Sequence, residues 1–336
     1  MRVGQNPAKF IDHVSQPQAI TVAVIVYIPF LHGYYAQSLE VLKTCLESLW
    51  QNTPQRYDLL VFDNASCPEV RTYLQEMHEQ ECIQYLVLSG KNVGKGGGWN
   101  LIFQGAPGRI IAYADSDVYF YPGWLEKSLE ILEKFPKVGM VTSRPLRTPE
   151  IYYSATQAWA EQTPGVILER GSFMSWENYK EHTDSLGIPT DQAQVLFDST
   201  FDQRISYNGG QAQMGAAHFQ FIAYKTVLSA LDSFKMDRPM GQVRSLDSQL
   251  NEAGYLRLST MERLVKHMGN SLDNPLDNQP ASLSKQASNQ NSGVNAPQLS
   301  RRSSRRGIGW RLRNVPPIRR GLLWLYDRIF RLYYSG

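Results

Sequence analysis

Cysteine is scarce in this chain. Cys45, Cys67 and Cys82 are the three among 336 residues, and no two form a Cys-x-x-Cys pair. An odd number at irregular spacing argues against a disulfide framework and a zinc site, and it fits a reducing compartment. Long apolar runs are missing too. The stretch from Val22 to Leu31 is too short to cross a bilayer, and the residues ahead of Thr21 lack the apolar core of a secretion signal. The expectation is a cytoplasmic protein without a transmembrane helix. Two phosphate-binding fingerprints are also absent. Gly90-Lys-Asn-Val-Gly-Lys95-Gly96 has neither the spacing nor the hydroxyl of a P-loop, and counting from Gly94 a dinucleotide fingerprint needs glycine where Trp99 stands. A P-loop NTPase and a Rossmann oxidoreductase drop out together.

What the chain does have is charge sorted by region. Its net +3 hides a division: residues 301–336 hold ten Arg against the single Asp327, which leaves −6 for residues 1–300. The basic character belongs to a tail.

Apolar runs and helical periodicity alternate through the first half. Residues 21–28 read as a strand, Leu39 to Trp50 as a helix, Asp58 to Asp63 as a strand, Glu69 to Glu79 as a helix and Ile83 to Leu88 as a strand. A glycine-rich turn over 94–98, a helix near Trp99 to Gln104, a strand over 109–114 and a helix near Trp124 to Phe135 follow. Such alternation predicts an α/β fold whose first half has a parallel sheet and binds a nucleotide. From Thr148 to about Gly210 the periodicity weakens, and this stretch reads as loops and short elements shaping a second pocket or as a core-packing insertion. A strand over 216–224, a helix from Leu246 to Ala253 closed by Gly254, and a strand-like stretch from Tyr255 to His267 complete the ordered pattern.

One turn stands out. The run from Arg109 to Ala114 reads as a buried strand that stops at Asp115-Ser116-Asp117, at the carboxyl end where open α/β sheets bind ligands. In a turn, both carboxylates can face one hard cation such as Mg2+ or Mn2+, which would in turn hold a diphosphate. The competing reading is a solvated turn that caps the next helix, and Pro122-Gly123 fits it.

Three further segments line up with this turn: Phe62-Asp63-Asn64-Ala65-Ser66, Lys91-Asn92-Val93-Gly94-Lys95-Gly96, and Val265-Lys266-His267-Met268-Gly269-Asn270. With Asp115-Ser-Asp117 they resemble the inverting family 2 glycosyltransferases over roughly residues 20–270. The resemblance implies a GT-A fold, a Rossmann-like nucleotide-diphospho-sugar transferase domain with a mixed central sheet. It implies that Asp63 contacts the nucleotide base, that Asn92, Gly94 and Lys95 lie along the nucleotide, and that Asp115 meets ribose or metal. Asp117 would be the main metal ligand, His267 would add a nitrogen, and the cofactor would be Mn2+ or Mg2+. The chemistry is consistent. A carboxylate accepts the imide N–H of a uracil-like base, glycines admit a close ligand, and a divalent cation helps a diphosphate to leave. UDP sugars are the favoured donors.

An inverting transfer needs a base for the acceptor hydroxyl. The family places an acidic residue before or within a helix that leads to a glycine, and Asp247 in Ser245-Leu-Asp247-Ser-Gln-Leu-Asn-Glu252-Ala-Gly254 is the match. The match departs from the family pattern, since Leu246 stands where an acidic partner is usual, and Asp237 and Glu252 are the substitutes. An exposed helical Asp is the bland alternative.

The implied organisation is an N-terminal extension over 1–20, a catalytic domain over 21–270 divided at 147/148 into nucleotide and acceptor halves, a flexible linker over 271–300 and a basic amphipathic tail over 301–336. The linker is rich in Asn, Gln, Ser and Pro. In the tail, Trp324, Leu325, Ile329 and Phe330 interleave with Arg, which suits an anionic cytoplasmic membrane face. Nucleic-acid binding through the Arg cluster and a helix packed on protein, including a second subunit, compete with that reading. The expected partners are a nucleotide sugar and a saccharide or lipid-linked saccharide acceptor in cell-surface polysaccharide synthesis, with no nucleic acid. Two rival functions compete with this reading. A sugar-phosphate nucleotidyltransferase needs a glycine-rich loop after the first strand, where Ile28-Pro29-Phe30-Leu31 stands. A non-catalytic sugar- or membrane-binding adaptor would keep the fold without the base.

Overall fold

The computed structural model describes residues 5–240 and 243–272. The linker beyond residue 272 and the basic tail lie outside the described residues.

The elements run β1 (Ile20–Val26), α1 (Ser38–Asn52), β2 (Asp58–Asp63), α2 (Pro68–Glu79), β3 (Tyr85–Leu88), α3 (Gly94–Gly105), β4 (Ile110–Asp115), β5 (Val118–Phe120), α4 (Trp124–Lys134) and β6 (Val138–Thr142). Then come α5 (Ser154–Gln162), β7 (Ile167–Gly171), α6 (Trp176–Ser185), α7 (Thr190–Ser199), β8 (Asp202–Tyr207), β9 (Gly210–Met214), β10 (Gln220–Tyr224), α8 (Lys225–Ser229), α9 (Val243–Glu252), β11 (Leu256–Ser259) and β12 (Val265–His267).

The strands build a mixed central sheet in the order β3-β2-β1-β4-β10-β6-β11-β9-β8-β7. The β3-β2-β1-β4 part is parallel, whereas β10 runs antiparallel to both β4 and β6. This is the α/β architecture with a mixed sheet that the sequence implied. Parallel strands buried on both faces read as continuous apolar runs, and β1 and β2 are buried along their whole length.

Apolar cores cover both faces of the sheet. Leu42, Leu46 and Leu49 of α1, Val70 and Leu74 of α2, and Trp124 and Ile131 of α4 pack on one face. Trp99, Ile102 and Phe103 of α3, Val227 and Leu228 of α8, and Leu246 and Leu250 of α9 pack on the other. Each fully buried Leu or Ile contributes about 2 kcal/mol against exposure.

Three expectations change. The glycines at 94–98 are not a turn ahead of the helix but its first turns, because α3 starts at Gly94. Packing outweighs their poor helix propensity: a Cβ on Gly98 would stand 2.4 Å from Ile25 Cδ1, so side chains there would hold α3 off the sheet. Residues 148–210 are largely regular, with α5, β7, α6, α7 and β8. These elements are short and half-exposed, so their apolar periodicity is weak. The last strand-like stretch splits, β11 joining the main sheet and β12 pairing with β5 in a two-stranded sheet of its own.

Candidate active site

The carboxyl ends of β2, β1 and β4 lie side by side, and the order changes direction around β1. Ligands of open α/β sheets bind at such a place. Asp63 is the last residue of β2 and Asp115 the last of β4.

Asp63 is fully buried. Its Oδ1 accepts from the Ser66 N–H at 3.0 Å and its Oδ2 from Arg71 Nε at 2.9 Å. Arg71 also donates to the Ser89 carbonyl, so Asp63 ties the ends of β2 and β3 together. Asn92 and Asn64 order the next loop. Asn92 Oδ1 accepts from Asn64 Nδ2 at 2.9 Å and from the Gly94 N–H at 2.7 Å, while Asn64 Oδ1 accepts from the Val93 N–H at 2.8 Å. Gly94 adopts φ +72°, and a Cβ there would lie 2.7 Å from the Arg238 carbonyl oxygen. The adjoining Lys95 N–H donates to the Pro239 carbonyl at 3.0 Å, so the segment around Arg238 and Pro239 rests on the start of α3.

Lys95 turns inward. Its Nζ lies 2.6 Å from Asp115 Oδ2 and sits over the rings of Trp99 and Tyr113 at 5.4 and 5.7 Å. Asp115 Oδ1 accepts from the Tyr113 hydroxyl at 2.6 Å. Both oxygens of Asp115 therefore have protein donors. Burial, reinforced by Asp115, drives the Tyr113 phenol well above its ordinary value, so it stays a donor. Trp99 is fully buried and stacks with Phe103, which makes it core as well as a face for the Lys95 cation.

Asp117 differs. Its Oδ1 is buried and has no hydrogen-bond partner, and its Oδ2 lies 3.3 Å from His267 Nε2. Burial raises the Asp117 carboxyl above the usual carboxylate range; His267 opposes that rise and Asp115 adds to it. His267 reaches this place because β12 pairs with β5, and the Met268 N–H donates to the Asp117 carbonyl at 2.8 Å. The Ser185 hydroxyl donates to the His182 carbonyl at 2.7 Å and lies 3.0 Å from His267 Nδ1. A hydroxyl has one proton, so once it is spent on His182 the Ser185 oxygen must accept from Nδ1–H. When Nε2 carries no proton, its lone pair turns toward a carboxylate oxygen. Two facing acceptors need a proton or a cation between them.

Among the described residues no three His, Cys, Asp or Glu side chains converge as a complete metal cage. Asp117 and His267 nonetheless suit a hard divalent cation that takes its remaining ligands from water and a substrate diphosphate, the way Mg2+ and Mn2+ are commonly held. The orphaned Oδ1 and the facing lone pairs are the observations that favour this fit. Asp115, already paired with Lys95, stands beside that site.

Asp247 lies elsewhere, on α9 against β11. It is 6 % exposed, on the inner face of α9, and Oδ1 meets Arg257 Nη2 at 2.5 Å. Arg257 also donates to the carbonyls of Tyr152 at 2.6 Å and Ala216 at 2.7 Å. The other oxygen, Oδ2, lies 3.6 Å from Nδ1 of the part-exposed His218. The alternative acids are both exposed: Asp237 faces Arg238 at 3.8 Å and Glu252 ends α9. Tyr113, Ser185, His218 and Arg257 carry much of this geometry without standing in any motif. Closeness to a strand end is the signal that could have marked Tyr113, two residues before the end of β4, and His218, two residues before the start of β10.

Residues 26–187 match the model of the Glycosyl transferase family 2. The match covers just under half of the chain. It spans β2, α3 and the Asp115–Asp117 turn, and it ends before Asp247 and His267. A curated relative, an uncharacterized glycosyltransferase of Nostoc sp. (strain PCC 7120), is 24 % identical over 136 residues. That alignment covers 39 % of this chain and 42 % of the relative, so the chain spans less than half of the curated relative it matches. Among solved structures, S. aureus TarS 1–349 is 12 % identical over 73 % of this chain and 58 % of its own, with a TM-score of 0.42. The mannosyltransferase PcManGT from Pyrobaculum calidifontis, solved with GDP-Man and Mn2+, is 19 % identical over 53 % of this chain and 49 % of its own, with a TM-score of 0.33. GalNAc-T7 with UDP, GalNAc and Mn2+ is 11 % identical over 77 % of this chain and 45 % of its own, with a TM-score of 0.46.

Proposed function

We propose that this chain is a metal-dependent inverting glycosyltransferase that moves a sugar from a nucleotide-diphosphate donor, UDP sugars favoured, to a saccharide or lipid-linked saccharide. The observation that carries the reading is Asp117, whose buried oxygen has no partner and whose second oxygen faces the His267 nitrogen at 3.3 Å, at the carboxyl end of β4. The family match to residues 26–187 supports the reaction class.

In this reading Asp117 and His267 hold Mn2+ or Mg2+, which when bound neutralises the charge growing on the leaving diphosphate. Asp63, Asn92, Gly94, Lys95 and Asp115 shape the nucleotide's bed. Lys95 and the Asn92–Gly94 loop fix the position of the strand ends, so that the donor meets a preformed site. The acceptor enters from the side of α9 and the β10 approach, where Asp247 and His218 stand. Residues 301–336 would seat the enzyme on an anionic inner membrane surface.

The test is a thermal-shift screen of nucleotide sugars with and without Mn2+, followed by release of the nucleoside diphosphate. A ligand that binds only the native state raises its stability. One donor should raise Tm only when Mn2+ is present, and it should be turned over. Binding without turnover would assign the chain to a non-catalytic adaptor, and no metal-dependent shift with any donor would overturn the metal assignment.

A further inference from the structure

We propose that His218 is the general base of the transfer and that Asp247 is its positioning residue; this rests on the glycosyl-transfer reading above. The sequence pattern points to Asp247 itself, and the geometry moves the role by one side chain. Asp247 is almost enclosed, and the guanidinium of Arg257 already answers its charge at 2.5 Å. A carboxylate so enclosed, with one oxygen already held by a guanidinium, has little room to meet an acceptor hydroxyl. His218 is 35 % exposed, faces Asp247 Oδ2 through Nδ1 at 3.6 Å, and has no hydrogen bond to Nε2 among the described residues.

The backbone beside His218 is pinned on both sides. The Ala216 carbonyl accepts from Arg257 at 2.7 Å, the Ala217 N–H donates to the Thr142 hydroxyl at 2.8 Å, and the Phe219 carbonyl accepts from the Asp115 N–H at 2.8 Å. The last of these puts His218 one residue from a direct bond to the Asp115–Asp117 turn. An imidazole held next to the donor turn, with a buried carboxylate behind one nitrogen and a free second nitrogen, is the arrangement of an oriented base. Asp247 from α9, Arg257 from β11 behind it, and His182 from α6 are the titratable and charged groups that face it.

The step balances. Nε2 of neutral His218 takes the acceptor hydroxyl proton while that oxygen forms its bond to the anomeric carbon. The bond from the anomeric carbon to the diphosphate breaks, and its electron pair leaves on the phosphate oxygen. The imidazolium, facing the Asp247 carboxylate, then returns its proton to solvent.

Water serves as the acceptor in the test, with the donor that the screen identifies, Mn2+ and the full chain. H218Q should lower nucleotide release by about 100-fold or more with donor KM within twofold, since general base catalysis contributes on that order. The acid limb of the wild-type pH profile should vanish in H218Q, and added imidazole should restore part of the rate to H218A. D247N should keep metal-dependent donor binding and lower kcat by a smaller factor. H218Q within threefold of wild type at every pH would sink the base assignment alone. No release by the wild type with any donor would remove the transferase reading and this proposal with it.

Discussion

Lys95 and Asp115 form an ion pair at 2.6 Å whose two ends lie in different surroundings. The Lys95 side chain is 9 % exposed beneath Trp99 and Tyr113, while that of Asp115 is 22 % exposed at the strand end. A buried charge that loses its partner costs more than one that water can still reach. Asp115→Asn should therefore destabilise by about 2–3 kcal/mol and Lys95→Met by about 1 kcal/mol. Urea unfolding of both variants checks the order, and a larger loss for Lys95→Met would contradict it.

Asp117 predicts the opposite sign. Burial raises its folded carboxyl above the unfolded value, so it favours folding only at acid pH and opposes it once pH rises through the raised value. Asp117→Asn removes that opposition, and an amide N–H can meet the His267 lone pair. The metal-free variant should be as stable as wild type at pH 7.5 or about 1 kcal/mol more stable. Its Mn2+-dependent thermal shift with nucleotide should disappear. A variant that unfolds without metal would show Asp117 to be a structural carboxylate.

How far such a site is legible in sequence depends on how local its forces are. The strands β1, β2 and β4 were plain because parallel strands buried on both faces are unbroken apolar runs, and Asp63 and Asp115 fall where those runs stop. The start of α3 was hidden because Gly94, Gly96, Gly97 and Gly98 signal a turn by propensity, whereas contact with Ile25 and Val93 decides their state. His267 was placed by family pattern, and its geometry depends on Ser185, which lies on α6 in the stretch with the weakest periodicity. His218 is not legible in the sequence because its meaning comes from Asp247 and Arg257, residues of two other elements.

Gly94 carries a stability and a binding prediction together. Alanine disfavours the left-handed region, and its Cβ would meet the Arg238 carbonyl at 2.7 Å, which is backbone and cannot swing aside. The usual gain from replacing a helical glycine, about 1 kcal/mol, is therefore outweighed. Gly94→Ala should cost about 2 kcal/mol net and raise donor KM, because the segment around Arg238 must lift from α3. Chemical denaturation and donor titration measure the two effects.

His182 sets a pH dependence. Its Nδ1 is buried without a partner, and its ring packs between Phe219 and His267. Burial first, then Arg144, His267 and His218, hold it well below the ordinary imidazole value of 6.5. The unfolded chain thus binds a proton near pH 6.5 that the native state refuses. Stability is complete above that pH and falls as pH drops below it. The slope from this group has a ceiling of about 1.4 kcal/mol per pH unit. Between pH 7.5 and 5.5, metal-free wild type should lose about 1 kcal/mol more than His182→Leu, as read by urea unfolding at the two pH values.

Asp247 and Arg257 separate a structural duty from a chemical one. Removing the carboxylate alone strands a guanidinium that is fully buried, so Asp247→Leu should cost about 3–5 kcal/mol. Replacing both partners by apolar side chains of similar volume is commonly neutral, because the desolvation of two charges disappears with their attraction. The Asp247→Leu, Arg257→Met double variant should regain most of that loss, less about 1–2 kcal/mol for the carbonyls of Tyr152 and Ala216 left without their donor. If Asp247 served folding alone, this rescue would restore transfer along with stability. As the residue that orients His218, it should leave the refolded double variant able to bind donor with Mn2+ while its turnover stays low, and the two readouts taken on one protein distinguish the cases.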